Sequence, residues 1–328
     1  MRVELSVLAV HYHAEELLGP LFDSMRDFLS GHRSEILVWD NGSRNGRVDL
    51  AAPCPMTWFP SAVNVGFAEG HNALAKRARG KRFLIINPDA EFASGALKKL
   101  WETAEKNPQA GLVAPRIQFP DGRMQASVFP PYSFGFDLRK SFWLENKTFL
   151  SGAQRDIWKK LLEAREPFPI GWASGACMLV SREAWEKVGG FDPNFFFGGE
   201  DADLCRRMRE AGFEILCEPR ALLIHQAGQS LEREPGRKIL FYYQKRLYFA
   251  YKHFSRPQYG ILWLVSTLEL VLKWKVGLFF SFFSPRWRRK RKGYAGALAL
   301  VFSGRWRNTD RLIQKREGEM RKPVEAAV

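Results

Sequence analysis

Apolar and polar positions along the first 90 residues fall into alternating blocks, which predict strands and helices in turn. Short apolar runs typical of buried strands stand at VELSVLAV (3–10), SEILVWD (34–40), MTWFP (56–60) and RFLIIN (82–87). Helical spacing of apolar residues covers EELLGPLFDSMRDFL (15–29) and GFAEGHNALAKRAR (66–79). Strands that alternate with helices predict an α/β fold with a mostly parallel central sheet flanked by helices.

The pattern continues beyond residue 90 and is interrupted once. A helix is predicted at SGALKKLWETAEKN, a strand at AGLVAPRI, and a hairpin turn at the Asp-Gly pair of FPDGRMQ. Periodicity fades over 128–170, which we interpret as an irregular excursion with helical pieces. Order returns with GACMLVSREAWEKVGGF (175–191), an apolar strand that runs into a helix.

Polar residues stand where several of the predicted strands end. His11 follows the first strand, Asp40 and Asn41 stand at the end of the second, and Asn87 ends the run at 82–87. Ligands of open α/β sheets bind beyond the carboxyl ends of the strands, so we expect the ligand site of this protein at that edge.

A cation site is predicted at the same edge. Asp89 and Glu91 stand one residue apart behind the run at 82–87, and Pro88 fixes the turn that presents them. His225 follows the apolar run RALLI, and its imidazole suits Mn²⁺ better than Mg²⁺. Carboxylates of this kind bind divalent cations that also hold substrate phosphates. The alternatives are solvated turn acids and a structural histidine.

A second acidic cluster opens a predicted amphipathic helix in GGEDADLCRRMREAG (198–212). Glu200, Asp201 and Asp203 lie in its first turn, where the helix dipole stabilises each anion by about 0.3–1 kcal/mol. Capping accounts for one or two of the three acids. Because three phenylalanines precede the cluster, a carboxylate here can be screened from water and tuned as a general base for a hydroxyl group.

Net charge divides the chain into two parts. Residues 236–328 hold 21 Lys and Arg against 5 Asp and Glu, whereas the first 235 residues hold 29 against 30. We therefore predict a catalytic domain at 1–235 and a basic, aromatic, helical extension at 236–328. The four cysteines form no CxxC pair, which favours reduced buried thiols over a disulfide framework or a zinc cluster.

The extension has the composition of a membrane-surface segment. Residues 260–283 are long enough to span a bilayer, but Glu269, Lys273 and Lys275 near the middle would each cost about 2.5–3.5 kcal/mol, which favours an interfacial helix. Six of the seven residues from 286 to 292 are basic and tryptophans surround them, as in segments that dock on anionic lipid headgroups. A solvated charged face is the alternative. Nucleic acid is disfavoured, since no nucleic-acid-binding motif accompanies the charge.

Taken together, these motifs resemble those of the family 2 glycosyltransferases, most closely the bacterial rhamnosyltransferases that act on cell-surface glycans. The matching segments cover roughly residues 3–230 and are, in the family's order, VLAVHYHAEELL, LVWDNGSRNG, NVGFAEGHNALAKRARG, FLIINPDAEF, GWASGACMLVSREAWEKVGGFDPNFFFGGEDADLCRRMREAGF and HQAGQS. The resemblance implies the GT-A fold of nucleotide-diphospho-sugar transferases, an NDP-sugar donor, a divalent cation (Mn²⁺ or Mg²⁺), and inversion at the anomeric carbon.

On the donor side, the resemblance implies that Asp40 contacts the nucleotide base. Asn64 and Gly66 are then expected to line the same pocket. His11 and Asn87 are expected beside the nucleotide as well, and HYH stands here where most relatives have NYN or TYN.

The resemblance gives the two acid sites different roles. Asp89 is the expected ligand of the cation, His225 can complete that site, and Glu91 stands in for the further aspartates that many members carry. Asp201 is the expected base that deprotonates the acceptor hydroxyl, and Glu200 can orient it. The acceptor side is expected to be formed by Trp172, Ser174, Gly175 and Asp203.

The sequence thus predicts a metal-dependent inverting glycosyltransferase, with TDP-rhamnose as the first donor to test and a cell-surface glycan or polyprenyl-linked acceptor. Because the N-terminus has no signal-peptide pattern, we expect the enzyme in the cytoplasm, attached through its extension to the inner face of the membrane. Two alternatives stay open. One is a sugar nucleotidyltransferase, although AVHYHAEE lacks the Gly-rich phosphate loop usual in such enzymes. The other is a non-catalytic module for membrane recruitment.

Overall fold

The computed structural model describes residues 3–43, 50–141, 152–195, 198–226, 235–304 and 306. The chain divides into two compact units. The first comprises Met1–Tyr132, Lys147–Asp192 and Glu200–Ala227, and the second comprises Ser133–Asn146, Pro193–Gly199 and Gly228–Val328. The second unit therefore takes in two short segments that precede residue 200 as well as the C-terminal part of the chain.

Strands occur in the first unit and helices in both. The strands are β1 (Leu5–His11), β2 (Ser34–Asp40), β3 (Met56–Pro60), β4 (Arg82–Ile86), β5 (Ala90–Phe92), β6 (Ala110–Gln118), β7 (Val128–Phe129), β8 (Phe168–Pro169), β9 (Trp172–Ala173), β10 (Cys177–Ser181) and β11 (Glu214–His225). The helices are α1 (Leu18–Ser30), α2 (Phe67–Ala75), α3 (Ala96–Lys106), α4 (Phe134–Ser141), α5 (Gly152–Glu163), α6 (Arg182–Val188), α7 (Glu200–Glu210), α8 (Pro235–His253), α9 (Arg256–Phe280) and α10 (Pro285–Ser303). The excursion predicted at 128–170 does contain helical pieces, α4 and α5.

One mixed sheet forms the centre of the first unit. Within the described residues it has nine strands, in the order β3-β2-β1-β4-β10-β6-β11-β5 with β8 beside β11. The part formed by β3, β2, β1 and β4 is parallel, and β10 then runs antiparallel to both β4 and β6. Strand β11 is parallel to β6 and antiparallel to β5. The α/β fold class predicted from the alternating pattern is confirmed, whereas the reversed direction of β10 was not predicted.

The strand register brings the ends of several strands to one edge of the sheet. His11 pairs with Asp40, and Cys177 pairs with Ile86, the last residue of β4. Farther along the sheet, the last residue of β11 pairs with the first residue of β5. The carboxyl ends of β1, β2, β4 and β11 therefore share an edge with the segments that lead into β5 and β10. We call this the carboxyl edge.

Helices cover both faces of the sheet. Val7 and Ala9 of β1 belong to the apolar core that includes residues of α1 and α3. The intervening Leu8 belongs to the opposite core, which includes residues of α2, α6 and α7. This alternation follows from the period of two residues in a strand. Both faces are occupied by helices, so the edges of the sheet remain for a ligand, and the polar strand ends lie at the carboxyl edge.

The second unit is organised around one buried charge and one close helix contact. Arg246 of α8 is buried, and its guanidinium lies 3.4 Å from Asp137 of α4 and 3.1 Å from Glu269 of α9. A buried charge is tolerated only when it is paired in this way. Gly293 of α10 packs on Gly236 of α8, where a Cβ on Gly293 would lie 2.7 Å from the Gly236 Cα. The two helices thus approach where no side chain fits.

Helices α9 and α10 and the link between them expose both apolar and basic side chains. The exposed large apolar residues of this region are Ile261, Leu264, Leu268, Leu272, Val276, Leu278, Phe279, Phe280, Phe282, Phe283 and Phe302. The exposed basic residues at the start of α10 are Arg286, Arg288, Arg289 and Lys292. We call these residues together the apolar-basic surface. Among the helices that the structure describes, none is long and apolar enough to cross a bilayer.

Candidate active site

His11 and Asp40 lie side by side at the carboxyl edge. His11 is 1% exposed, its Nε2 lies 3.9 Å from Asp40 Oδ1, and its ring centroid is 4.9 Å from that of Trp58. Burial lowers the pKa of His11, and the nearby Asp40 charge opposes that shift. Within the described part of the chain, neither ring nitrogen has a hydrogen-bond partner. The imidazole is therefore neutral at pH 7, behind the carboxylate predicted to contact the base.

The loop after β2 is tied to the loop before α2. Asn41 Nδ2 donates to Asn64 Oδ1 at 3.0 Å, and Asn41 Oδ1 accepts from the Val65 amide at 2.8 Å. The Gly66 amide donates to Asn64 Oδ1, and Gly66 has φ +90°, a conformation that favours glycine. Asp40 Oδ1 accepts from the Ser43 amide at 2.8 Å. Asp40, Asn64 and Gly66, which are predicted to bind the nucleotide of the sugar donor, thus lie in one hydrogen-bonded region.

Residues 87–89, which we call the NPD turn, carry the predicted cation ligand. Asp89 Oδ1 lies 3.2 Å from His225 Nε2, and Asn87 Nδ2 lies 3.2 Å from the same nitrogen. The backbone amide of Gln226 donates to Asp89 O at 3.1 Å, which fixes the turn against the end of β11. The structure therefore brings Asn87 and Asp89 of this turn next to His225, which lies 138 residues after Asn87 in the sequence.

Asp89 and His225 form a donor set that fits a divalent cation. A carboxylate oxygen beside an imidazole nitrogen suits Mn²⁺, and Asp89 is 17% exposed, so a ligand can reach it. Among the described residues there is no group of three or more His, Cys, Asp or Glu side chains that could enclose a metal. The protein would supply two ligands, and substrate phosphate oxygens and water would supply the others, as is usual for Mg²⁺ and Mn²⁺ sites at phosphates.

Glu91 does not join this pair. In the β5–β11 register, His225 is opposite Ala90, and Glu91 is opposite Ile224. Residues directly opposite each other point to the same face of a sheet, and neighbours along a strand point to opposite faces. The Glu91 side chain therefore points away from the face that carries the His225 imidazole. The structure corrects the expectation that Glu91 substitutes for a second aspartate in the cation site.

Residues 200–203, the α7 acid turn, start the helix that was predicted from the acidic cluster. Asp201 is half-buried, its Oδ2 accepts from the Gly175 amide at 3.4 Å, and its Oδ1 accepts from the Ala202 amide at 2.8 Å. Glu200 is buried. Of the three acids, Asp201 thus combines partial exposure with a contact to the segment before β10.

Asp203 has a structural position. Its side chain is fully buried, and its Oδ2 lies 2.6 Å from the Arg207 guanidinium one helical turn later. Arg207 in turn donates to the Val188 and Gly190 carbonyl oxygens at 2.7 Å, which fixes the turn after α6. Because this carboxylate is enclosed and neutralised, Asp203 stabilises α7 and its neighbouring turn, which corrects the acceptor-side role predicted for it.

Residues 174–176, which we call the SGA segment, connect the two acid turns. The Ala176 carbonyl oxygen accepts from the Asn87 amide at 3.0 Å, and one residue earlier the Gly175 amide donates to Asp201. The Ser174 amide donates to Ser127 O at 2.7 Å. One three-residue segment therefore sets the position of the NPD turn relative to the predicted base.

Aromatic side chains line both flanks of the SGA segment. Trp172 of β9 stacks on Phe129 of β7, with ring centroids 4.0 Å apart and an interplanar angle of 14°. A Cβ on Gly175 would lie 3.1 Å from the ring of Phe67, the first residue of α2. Gly175 thus lets the SGA segment lie directly against the donor-side helix. Gly175 contacts Asp201, and Trp172 and Ser174 lie within three residues of Gly175 along the chain. Their place on an acceptor side stays a prediction.

Sequence reasoning missed Gln125, whose Oε1 lies 3.1 Å from His225 Nδ1. This residue had no signal of its own, since its position depends on the hairpin at 119–123 that returns the chain to β6. Asn41 was indicated as a polar residue at a strand end, and the structure adds its contacts to Asn64 and Val65.

Two protein-family profiles match the chain. The profile of glycosyl transferase family 2 matches residues 6–189, and that of the N-terminal domain of galactosyltransferase matches residues 161–227. The chain is similar to the N-acetylglucosaminyl-diphospho-decaprenol L-rhamnosyltransferase of Mycobacterium tuberculosis, with 29% identity over 266 residues that cover 75% of this chain and 83% of the relative.

Solved structures share the fold at low sequence identity. The mannosyltransferase PcManGT of Pyrobaculum calidifontis, in complex with GDP-Man and Mn²⁺, has a TM-score of 0.54 and 15% identity over 92% of this chain and 88% of its own. GalNAc-T7 with UDP, GalNAc and Mn²⁺ has a TM-score of 0.52 and 14% identity. The likeness covers 76% of this chain and 50% of the GalNAc-T7 chain. These likenesses confirm the GT-A type of fold.

Proposed function

The chain belongs to glycosyl transferase family 2, and we propose that it is an inverting, cation-dependent enzyme that moves a sugar from an NDP-sugar to an acceptor hydroxyl. The family profile covers residues 6–189, more than half of the chain. Membership favours sugar transfer over the two alternatives, a nucleotidyltransferase and a non-catalytic recruitment module. The cation, the donor, the acceptor and the stereochemistry are the proposed parts.

The observation that carries the proposal is the SGA segment with an acid site at each end. The Ala176 carbonyl oxygen receives the Asn87 amide of the NPD turn, and the Gly175 amide contacts Asp201. Direct displacement at a sugar carbon needs one group that stabilises the charge on the departing diphosphate and a separate base at the acceptor. The SGA segment contacts the NPD turn through Ala176 and the proposed base Asp201 through Gly175, so the same three residues lie between the two groups.

Asp201 is the proposed base. Its carboxylate is half-buried and accepts from two backbone amides, at Gly175 and Ala202. In the transfer step the acceptor oxygen forms its bond to the anomeric carbon as the bond to the diphosphate oxygen breaks, and Asp201 takes the hydroxyl proton. A positioned carboxylate of this kind contributes about 10²–10⁴ in rate. Attack opposite the leaving group gives inversion.

Asp89 and His225 are the proposed protein ligands of Mn²⁺ or Mg²⁺. A cation held there would stabilise the charge that develops on the departing diphosphate. The residues around it have separate tasks: Asn87 contacts His225, and the Gln226 amide holds the Asp89 backbone. On the nucleotide side, Asp40 and the loop of Asn64 and Gly66 are proposed to bind the base and ribose, with His11 behind Asp40.

The donor and acceptor are proposed from the mycobacterial relative. That protein is an L-rhamnosyltransferase that acts on N-acetylglucosaminyl-diphospho-decaprenol. We therefore take TDP-rhamnose as the first donor and a glycan on a polyprenyl diphosphate as the first acceptor. Trp172, with its ring stacked on Phe129, offers an apolar face on which a sugar ring can lie.

A lipid-linked acceptor agrees with a location at the inner face of the cytoplasmic membrane. The apolar-basic surface offers Phe282 and Phe283, which are 78% and 76% exposed, next to the basic start of α10. Apolar side chains beside clustered Arg and Lys suit a surface that contacts anionic lipid. Co-sedimentation with phosphatidylglycerol vesicles should fall when Phe282 and Phe283 are changed to Ser. The matched change Leu162→Ser, at an exposed leucine of α5, should leave it unaltered.

The first experiment is thermal and chemical unfolding of the purified full chain with TDP, UDP or GDP, each with and without Mn²⁺. A nucleotide at a hundredfold excess over its dissociation constant should add about 2.7 kcal/mol to the free energy of unfolding. We expect this for one nucleotide, in the presence of Mn²⁺, and not in Asp89→Ala. Equal stabilisation by the nucleotide with and without Mn²⁺, and in the wild type and Asp89→Ala, would contradict the cation site. Absence of stabilisation by any of the three nucleotides would contradict the donor class.

The reaction itself is tested with TDP-rhamnose and a synthetic N-acetylglucosaminyl polyprenyl diphosphate. Mass spectrometry should detect addition of one deoxyhexose, and NMR coupling at the new anomeric carbon should report a configuration opposite to that of the donor. Retained configuration would contradict direct displacement with Asp201 as the base.

A further inference from the structure

Gln125 occupies a fixed place beside the end of β6. The chain leaves β6 at Gln118 and reverses at 119–123, where the Phe119 amide donates to Arg123 O at 2.8 Å. Gly122 has φ +83° in this turn, which favours glycine. After the reversal, the Gln125 amide donates to Ile117 O at 3.0 Å. The backbone of Gln125 is thus set by a tight hairpin, the turn that the Asp-Gly pair predicted.

The Gln125 side chain reaches His225. Gln125 Oε1 lies 3.1 Å from His225 Nδ1. An amide oxygen has lone pairs and no proton, so this hydrogen bond requires the imidazole proton on Nδ1. A neutral imidazole carries one N–H, which leaves the lone pair on Nε2. His225 is 6% exposed, so water has little access with which to replace the contact.

The lone pair on Nε2 then faces the NPD turn. Asp89 Oδ1 lies 3.2 Å from Nε2, and Asn87 Nδ2 lies at the same distance and can donate to it. A lone pair and a carboxylate oxygen this close repel each other, and a cation between them would be attracted to both. In the other tautomer, Nε2–H would donate to Asp89 and the ring would have no electron pair for a cation at this site.

We propose that Gln125 is a positioning residue that holds His225 in its Nδ1–H tautomer and so keeps Nε2 available to a divalent cation. The inference rests on the proposed cation site at Asp89 and His225, and it adds a residue to which neither the family resemblance nor the relatives gave a role. An acceptor on the second nitrogen of a ligating histidine commonly changes metal affinity about 10–100-fold.

The tautomer is measured directly in the metal-free full chain by two-bond ¹H–¹⁵N correlation NMR of ¹⁵N-histidine-labelled protein. The chain has six histidines, and loss of one signal set in His225→Gln assigns the residue. We expect Nδ1–H for His225 in the wild type and in Gln125→Glu, which keeps an acceptor oxygen. We expect Nε2–H in Gln125→Leu. A doubly protonated or Nε2–H ring in the wild type, or an unchanged tautomer in Gln125→Leu, overturns the proposal.

Mn²⁺ affinity, followed by EPR titration of free Mn²⁺, is the second readout. We expect the dissociation constant to rise about 10–100-fold in Gln125→Leu and to stay at or below the wild-type value in Gln125→Glu. Gln109→Leu, an exposed substitution just before the other end of β6, is the matched control and should bind as the wild type does. If the wild type binds Mn²⁺ and the folded Gln125→Leu variant binds it with equal affinity, the proposal is overturned.

The two readouts separate the failure of this inference from the failure of the proposed function. If the wild type binds no Mn²⁺ but the tautomer switches as stated, the cation proposal fails and the positioning role of Gln125 stands. If the wild type binds Mn²⁺ through Asp89 but the tautomer is indifferent to residue 125, the positioning role fails and the cation proposal stands.

Discussion

The NPD turn and the α7 acid turn are two acidic regions at one edge of one sheet, and their surroundings differ. In the NPD turn, the Asp89 carboxylate faces an imidazole nitrogen 3.2 Å away. In the α7 acid turn, the Asp201 carboxylate faces backbone amides, at 3.4 and 2.8 Å. The first arrangement gathers lone pairs that a cation can share. The second leaves a partly exposed carboxylate that can accept a proton.

Two acids within one turn of α7 also have different surroundings. Asp203 lies two residues after Asp201, yet it is fully buried and is neutralised by Arg207. Two aspartates thus have different roles, Asp201 as the proposed base and Asp203 as a structural residue, because the fold gives them different partners. Residue type alone does not separate the two roles, and the contacts do.

The largest expected effect comes from Asp201→Asn. The asparagine keeps the shape and can still accept from the Gly175 amide, but it cannot take a proton at neutral pH. We expect kcat to fall about 10²–10⁴-fold while Mn²⁺-dependent nucleotide binding stays as in the wild type. The measurements are initial rates with TDP-rhamnose and nucleotide-induced stabilisation. Wild-type kcat in this variant would assign the base elsewhere.

Glu210→Gln is the matched control for that substitution. It lies at the other end of α7, where Glu210 is exposed and pairs with Arg206 at 2.7 Å. Exposed pairs of this kind contribute about 0.3–0.5 kcal/mol to stability. Rates and binding should therefore stay at wild-type values.

The next effect is on stability and comes from Asp203→Asn. Removing one partner of a buried ion pair leaves the other charge uncompensated, which costs about 3–5 kcal/mol. We expect urea unfolding at 25 °C to report a loss of this size, and the protein that remains folded to turn over at close to the wild-type rate. A fully folded variant with a large loss of kcat would instead give Asp203 a part in the reaction.

The sequence was sufficient for the features that depend on local pattern. Alternating apolar blocks predicted the α/β sheet, the acidic cluster predicted the start of α7, and the Asp-Gly pair predicted the turn before Gln125. Strand ends also indicated that His11, Asp40 and Asp89 would share an edge. The first three inferences use residues close in sequence, where periodicity and turn chemistry decide the structure. The shared edge follows from the parallel sheet that the alternation of strands and helices predicts.

The remaining features depend on register and direction between distant segments. The antiparallel course of β10 brings residues 174–176 to the carboxyl edge, and an apolar run reads the same in either direction. The pairing of Glu91 with Ile224 places that acid on the far face, which spacing from Asp89 cannot show. The sequence places Asp203 in the same acidic cluster as Asp201. It cannot show that Asp203 is buried, because that burial depends on contacts with Arg207 and the turn after α6.

Gly175→Ala tests the segment that joins the two regions, with a smaller expected effect. The added Cβ would lie 3.1 Å from the Phe67 ring, so the ring or the segment has to shift by a few tenths of an ångström. Overpacking of this kind costs about 1–3 kcal/mol. Because the SGA segment contacts both acid turns, we expect kcat and nucleotide affinity to fall together. A loss of kcat alone would mean that the two turns are positioned independently.

The smallest expected effect is that of Glu91→Gln. This substitution tests whether the cation is bound by Asp89 and His225, as the fold indicates, or also by Glu91, as the sequence spacing indicated. Glu91 is one residue beyond Ala90 on β5, so its side chain lies on the face opposite His225. Substitutions away from a site usually change free energies by about 0.5 kcal/mol or less, so the Mn²⁺ dissociation constant should stay within about twofold of the wild type. Asp89→Ala, measured in parallel by the same EPR titration, should abolish the binding. If both substitutions weakened Mn²⁺ equally, the cation would be held by the acids of the turn as the sequence spacing indicated, and the pairing of β5 with β11 would have to change when the cation binds.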